Sequence, residues 1–354
     1  MGLLYFVVLL GVIIFIHEFG HFVMAKLFHV YVGEFSLGMG PKLFSYQGKE
    51  TLYSLRLLPL GGFCQMAGET GNELEGELTV QVEPERSLKG IKKWKQMFIM
   101  MAGILMNFLL AWVIFSGIFM TQGYTVSVDL PKVGTIVENS PAERAGLLEG
   151  DTIVQIEFSD GTVIRPQTFT EMSSANIADV TSTRIYTIER NGQTFVFELT
   201  PEYLEEQSAY LVGISAPTEH VEVGFFQGLI DGASQMVYVA SMMVQSILDL
   251  FKGQNLDQIS GPVGIYTVTA EQASLGLVNY IWLIAIISLN VGIFNAIPLP
   301  ILDGGRVVLL GIECLTGKPI NQKIEQALMS VCILLLIGLM IFATGQDILR
   351  LFAK

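Results

Sequence analysis

Charge is scarce in this 354-residue chain: Asp, Glu, Lys and Arg make up 15% of it, against 51% hydrophobic residues. So small a share excludes an ordinary water-soluble globule, and a mean hydropathy of +0.53 marks an integral membrane protein with room for one or two water-exposed parts. Basic residues are the scarcer sign, 20 against 33 acidic. A net charge of −13, with no basic face to track phosphates, excludes nucleic acid as a partner. Cysteine is nearly absent. Cys64, Cys314 and Cys332 are far apart and none lies in the acidic middle of the chain, which excludes a disulfide framework and a cysteine metal site. The first apolar run lacks a basic leader and a small-residue cleavage site after it, so it is read as an uncleaved membrane span.

That run, Leu3 to about Phe28, contains His17-Glu18-Phe19-Gly20-His21. On a helix, residues four apart share one face, so His17 and His21 can hold one metal ion while Glu18 reaches a water on it as general base. Each of these polar side chains costs a few kcal/mol to place in a bilayer, so each is a functional residue by default. About 26 residues make roughly 39 Å of helix, enough to span with some tilt.

The remaining chain sorts into alternating segments. Residues 30–66 carry glycines and strand-forming stretches such as Thr51 to Leu58, which reads as a β-hairpin or small sheet dipping into the membrane, an ordinary cytoplasmic hairpin being the alternative. An acidic stretch, Glu69 to Glu85, precedes Lys89, Lys92, Lys93 and Lys95, which flank a second apolar run from Met97 to Met120. This places the first connection in the cytoplasm. Residues 123–279 hold six Lys/Arg and 20 Asp/Glu, and are assigned outside. Within them, Gly134 to Val154 resembles a PDZ domain: Ser140 caps a helix begun by Pro141, Gly146 ends it, and a strand follows from Ile153. With the Asn191-Gly192 turn, one PDZ domain fits 126–216, and such folds bind extended chain ends by strand addition. In 225–251, Gln227, Asp231, Gln235, Gln245 and Asp249 share a face, as in an amphipathic helix lying on the outer surface. The run from Tyr280 to about Ile297 then crosses inward, and Ala327 to about Phe342 completes four spans.

A tetrahedral metal with two imidazoles needs a further protein ligand. Asp303, in Asn295-Ala-Ile-Pro-Leu-Pro-Ile-Leu-Asp-Gly-Gly-Arg306, follows two helix-breaking prolines at the depth that the inward crossing reaches. These motifs, with Gly38-Met-Gly40, Pro59-Leu-Gly-Gly-Phe63, Asn107-Phe108, Ser260-Gly-Pro-Val-Gly264 and Asn290, closely resemble the site-2 protease family of intramembrane zinc metalloproteases, in particular the bacterial regulators of sigma factors. Two departures are Ile104, where many relatives carry proline, and a single PDZ domain where some have two.

The resemblance implies a multi-pass α-helical membrane protein with about four transmembrane helices, a membrane-associated β-sheet and one extracytoplasmic PDZ domain, in a bacterial cell membrane with its active site near the cytoplasmic side. Its parts are residues 1–122, 126–216, 225–251 and 278–354. It implies one zinc ion on His17, His21 and Asp303, with Glu18 activating water. Asn295 and Asn290 would hold substrate backbone, helix–helix hydrogen bonding being the alternative. The β-loop near Gly38 and Gly40 would pair with an unwound substrate strand. Substrates would be single-span membrane proteins, such as a trimmed anti-sigma factor or a signal-peptide remnant; membrane lipid and a peptide C-terminus at the PDZ domain would be further partners. A zinc transporter would carry more polar residues on several spans than Asn107 on the second, and a catalytically dead PDZ-bearing receptor would have lost Glu18 or a ligand.

Overall fold

The computed structural model of the chain describes residues 1–68, 82–178, 182–204, 209–253 and 260–352, so most of the acidic stretch from Glu69 lies outside the described residues. The elements run α1 (Gly2–Leu27), β1 (Val32–Gln47), β2 (Leu52–Met66), α2 (Lys93–Gln122), β3 (Tyr124–Ser127), α3 (Pro141–Ala145), β4 (Thr152–Glu157), β5 (Val163–Ile164), α4 (Phe169–Ala178), β6 (Arg184–Arg190), β7 (Gln193–Leu199), β8 (Glu202–Leu204), β9 (Ala209–Leu211), β10 (Thr218–Val221), α5 (Phe225–Phe251), α6 (Pro262–Leu275), α7 (Leu277–Ala296), α8 (Asp303–Thr316) and α9 (Gln322–Phe352). Among the described residues four helices are long and apolar enough to cross a membrane: α1, α2, α7 and the Lys323–Arg350 part of α9. Two compact units result, Met1–Thr121 with Gly224–Lys354, and Gln122–Val223.

In the first unit, one half of α1 buries Leu9 and Ile13 against Tyr280, Leu283 and Ile284 of α7. Towards its other end, Ala25 joins Phe35, Cys64, Ile99 and Met100 in a cluster shared with the strands and α2. The helix stops at Phe28 because His29 turns left-handed, φ 63°, and Val30 N–H closes on Ala25 O at 2.8 Å. Helices α2 and α7 meet through Ala111, Phe115, Ala285 and Leu289. Helix α5 packs on the same pair: Trp112 Nε1 donates to Leu229 O at 3.0 Å, and Gly228 and Gly232 lie against Met120 and Ser116. Its polar residues pair along its exposed face, Gln227 with Asp231 at 2.7 Å and Gln245 with Asp249 at 2.9 Å. Asp347, 3% exposed on α9, accepts from the N–H groups of Gly261 and Gly264 at 2.9 and 2.7 Å and so caps α6 from a different helix.

The β-loop is a sheet of four short rows. Gly38, Gly40 and Gly61 hold φ of 90°, 83° and 96°, conformations that bend β1 and β2 each into two. Residues 32–37 pair antiparallel with 62–66, and 42–47 with 52–56; in addition Glu34 to Leu37 lie beside Leu52 to Leu55 with numbers rising together. The row order is therefore 62–66, 32–37, 52–56, 42–47, which among the described residues leaves 62–66 and 42–47 as edges.

The second unit holds an antiparallel sheet in the order β5-β4-β6-β7, its core built from Ile153, Ile156, Tyr186, Ile188 and Leu199. Ser140 caps α3 by accepting from Glu143 N–H, Gly146 ends it at φ 89°, and Asn191 and Gly192, both at positive φ, close the β6–β7 turn. Asp151 receives a two-pronged contact from Arg190, 2.7 Å on each oxygen, and the Leu148 N–H at 2.9 Å. Burial pushes the Asp151 carboxyl up, but those hydrogen bonds outweigh it and hold it below the usual range. A depressed carboxylate stabilises above its unfolded pKa and loses that contribution as pH falls through the folded one. Asp151→Asn should therefore cost about 1–3 kcal/mol at pH 6, read by hydrogen exchange of β4 and β6 in the full chain, and the gap to wild type should narrow as pH falls below about 4. A gap that stays constant with pH would contradict this.

Candidate metal centre

Helix α1 puts His17 and His21 on one face, and α8 begins at Asp303 directly opposite. The three donor atoms form a near-equilateral triangle: Asp303 Oδ2 lies 3.2 Å from His17 Nε2 and 3.2 Å from His21 Nε2, and the two nitrogens are 3.3 Å apart. Ligands about 2.0–2.1 Å from a tetrahedral zinc are separated by roughly 3.3 Å, so the triangle has the size of one face of such a site. Among the described residues these three are the group of His, Cys, Asp or Glu side chains able to hold a metal ion together.

The surroundings set up the donors. His21 Nδ1 donates to Ile99 O at 2.8 Å, which leaves the lone pair of a neutral ring on Nε2, facing Asp303. Asp303 Oδ2 is buried with no hydrogen-bond donor, so lone pairs converge where a cation satisfies them. The Asn107 amide lies 3.3 Å from His17 Nδ1, and its Oδ1 is otherwise buried and unpaired; turned to Nδ1–H, that oxygen fixes His17 in the matching tautomer. Close helix approach makes this possible. A Cβ on Gly20 would sit 2.5 Å from Ala102 O, and one on Gly103 would collide with the His17 and His21 rings. Opposite, Pro298 and Pro300 interrupt the chain after α7, and Gly304 and Gly305 pack on Ala296 and Leu299 backbone too tightly for any side chain.

The triangle opens onto a cavity of about 530 Å³, also lined by Glu18, Glu34, Arg56, Asn295, Arg306 and the backbone row 62–66. Glu18 is half-buried, and a Cβ on Gly62 would lie 3.2 Å from its Cγ, so the edge row passes alongside the carboxylate. Arg56 donates to Glu34 Oε1 at 2.7 Å and Gly40 O at 2.8 Å, tying the rows together. Three sequence expectations fall elsewhere. Gly38 and Gly40 do not line the cavity; they supply the left-handed bend of β1, against Leu58 and Arg56. Asn290 does not line it either, because five residues before Asn295 on α7 puts it about 140° away around the helix. Asn107, noted in the sequence without a role, is the residue beside His17, and Ile99 O and Gly103 carried no chemical signature; isolated glycine in an apolar helix was the one available hint.

The sequence profile of Peptidase family M50 matches residues 5–339. The chain belongs to that family. The regulator of sigma-W protease RasP of Bacillus subtilis is 31% identical over 420 residues, covering 98% of each chain. Zinc metalloprotease RasP of Shouchella clausii is 31% identical over 426 residues, with 99% of each covered. A Clostridium acetobutylicum relative, described among zinc metalloproteases, reaches 36% over 341 residues, 96% of this chain and 94% of that one. This M50 peptidase is accordingly a zinc metalloprotease of the site-2 protease type, and the donor set of two imidazoles and one carboxylate fits the ion that family uses.

Partners of ligating histidines typically govern metal affinity 10–100-fold. Asn107→Leu should weaken zinc binding by about that range, and Gly103→Ala should lower bound zinc in purified protein further, by pushing the rings apart. Metal analysis after dialysis against graded chelator checks both; full zinc retention in Gly103→Ala would contradict the close-approach account.

Proposed function

We propose that this M50 peptidase hydrolyses peptide bonds within or beside the membrane-spanning segments of single-span proteins, with its zinc on His17, His21 and Asp303. The observation that carries this is the 3.2–3.3 Å donor triangle, sharing its cavity with Glu18 inside a bundle of membrane-crossing helices. His17, His21 and Asp303 would hold a zinc ion that would supply Lewis-acid chemistry, polarising a peptide carbonyl and activating water near neutral pH. Glu18 takes the proton of the attacking water and delivers it to the leaving amine. Asn295, with donor and acceptor in one amide, holds the substrate backbone.

A helical substrate hides its carbonyls and must unwind before attack. The edge row 62–66 supports a mode for holding it: it lines the cavity beside Glu18 and, among the described residues, is paired on one side only, by 32–37. An unwound strand added there has its polar groups satisfied away from water. This replaces the segment near Gly38 to Leu43 as the docking strand. The name of the Bacillus subtilis relative ties it to sigma-W regulation. By that kinship, a pre-trimmed membrane-bound anti-sigma factor, or a signal-peptide remnant, is the substrate class proposed here. The basic residues flanking α2 support a cytoplasmic first connection with the acidic region outside. We assign 126–216 as a PDZ domain on the capped α3, the β4 strand after it and the Asn191-Gly192 hairpin, available to a peptide C-terminus.

Glu18→Gln should cut cleavage of a tagged single-span substrate by about 10²–10⁴-fold while bound zinc stays at wild-type level. Cleavage unchanged in that variant would overturn the assignment.

A further inference from the structure

A second cavity, about 510 Å³, adjoins the metal cavity, with Met100 and Arg306 lining both. Its walls divide by chemistry. Leu88, Leu309, Leu310 and Ile320 give an apolar side; Lys89, Lys93, Gln96 and Arg306 give a polar, cationic one. Two carboxylates share the wall, Glu313 and Glu325. Glu313 is already matched within the chain, by Lys93 Nζ at 2.5 Å and Ile320 N–H at 3.0 Å. Lys89 makes no ion pair within 4.0 Å among the described residues, but its charge also acts on Glu313. Burial pushes that carboxyl up, and the Lys93 and Ile320 contacts, helped by the charge of Lys89, hold it below the usual range. Arg306 stands one helical turn beyond Asp303 on α8, on the same face, and lines both cavities.

This arrangement bears on what becomes of the products, and so rests on the proteolytic reading above. Hydrolysis breaks the C–N bond, places the water oxygen on the carbonyl carbon and a proton on the nitrogen, and leaves a new carboxylate on one fragment and a new ammonium on the other at neutral pH. Each fragment of a membrane-spanning segment is apolar up to that new end. We infer that the second cavity receives the carboxylate-ended fragment as it leaves the zinc site, its apolar side chains on the leucine wall and its carboxylate passing from Arg306 to Lys89. Lys89, Lys93 and Arg306 against Glu313 and Glu325 leave the wall with one positive charge in excess, which favours the carboxylate-ended fragment over the ammonium-ended one.

The test uses full-length, zinc-loaded Glu18→Gln protein and an apolar fluorescent decapeptide carrying either a free C-terminal carboxylate or an amide, with binding followed by anisotropy. The carboxylate form should bind about tenfold more tightly, as a charge-assisted contact predicts. Adding Lys89→Gln should reduce that ratio several-fold, and Lys89→Arg should keep it; Lys89 is exposed, so the variants leave the core intact. A ratio near one in the parent overturns the inference. So does a ratio unmoved by Lys89→Gln, which would put the carboxylate on the metal. Anionic phospholipid that co-purifies with the parent and is lost in Lys89→Gln would assign the cavity to lipid headgroups and overturn it equally. Failure of the proteolytic reading shows separately, as no cleavage of any single-span substrate by wild type.

Discussion

Three electron-rich atoms from two distant chain segments must be held about 3.3 Å apart in an apolar bundle, and most of the architecture around them answers that demand. Apart from an ion, nothing in such surroundings pulls lone pairs together, so the approach has to be enforced by backbone. Gly20 and Gly103 bring α1 and α2 close enough for Ile99 O to reach one histidine and Asn107 the other. Ser288 Oγ donates to Asn107 O at 3.0 Å, which joins α7 to the same point. Beyond α7 the two prolines stop the helix, and the two glycines let the returning chain lie on its end, delivering Asp303 to the imidazoles.

The same economy shapes the cavity walls. A sheet inside a membrane protein needs its edges satisfied or facing water. Here one edge row faces the metal cavity, while Arg56 and Glu34 fasten the rows behind it. The row that would hold a substrate strand and the carboxylate that would serve as base are thereby set by one packing contact, Gly62 against α1. The donor triangle, Glu18 and the row that would take a substrate strand line a single concavity within the first unit.

Much of this was legible in the sequence because chemistry limits the choices. Histidines four apart with a glutamate between them, deep in an apolar run, have few bland explanations, and a carboxylate after Pro-x-Pro in another run supplies what two imidazoles lack. The span count followed from run length. What stayed hidden was geometry without a side-chain signature. Gly38 and Gly40 looked like a place for close backbone approach, yet glycine serves bending as readily, and only the positive φ of both decides between the two uses. Gly103 is one of 36 glycines, and nothing local to it announces that two rings lie above it. Asn290 and Asn295 differ only in which way the helix turns them. The edge row 62–66 became visible once the folding of β1 and β2 into four rows fixed which strand is outermost.

The most direct test of the metal assignment is zinc K-edge X-ray absorption on the purified protein, beside Asp303→Ala. The account predicts one zinc per chain with two imidazole nitrogens at about 2.0–2.1 Å and oxygen at about 2.0–2.2 Å, no sulfur, and loss of zinc or of one oxygen in the variant. Sulfur scattering near 2.3 Å, or a spectrum and zinc content unchanged by Asp303→Ala, would contradict it.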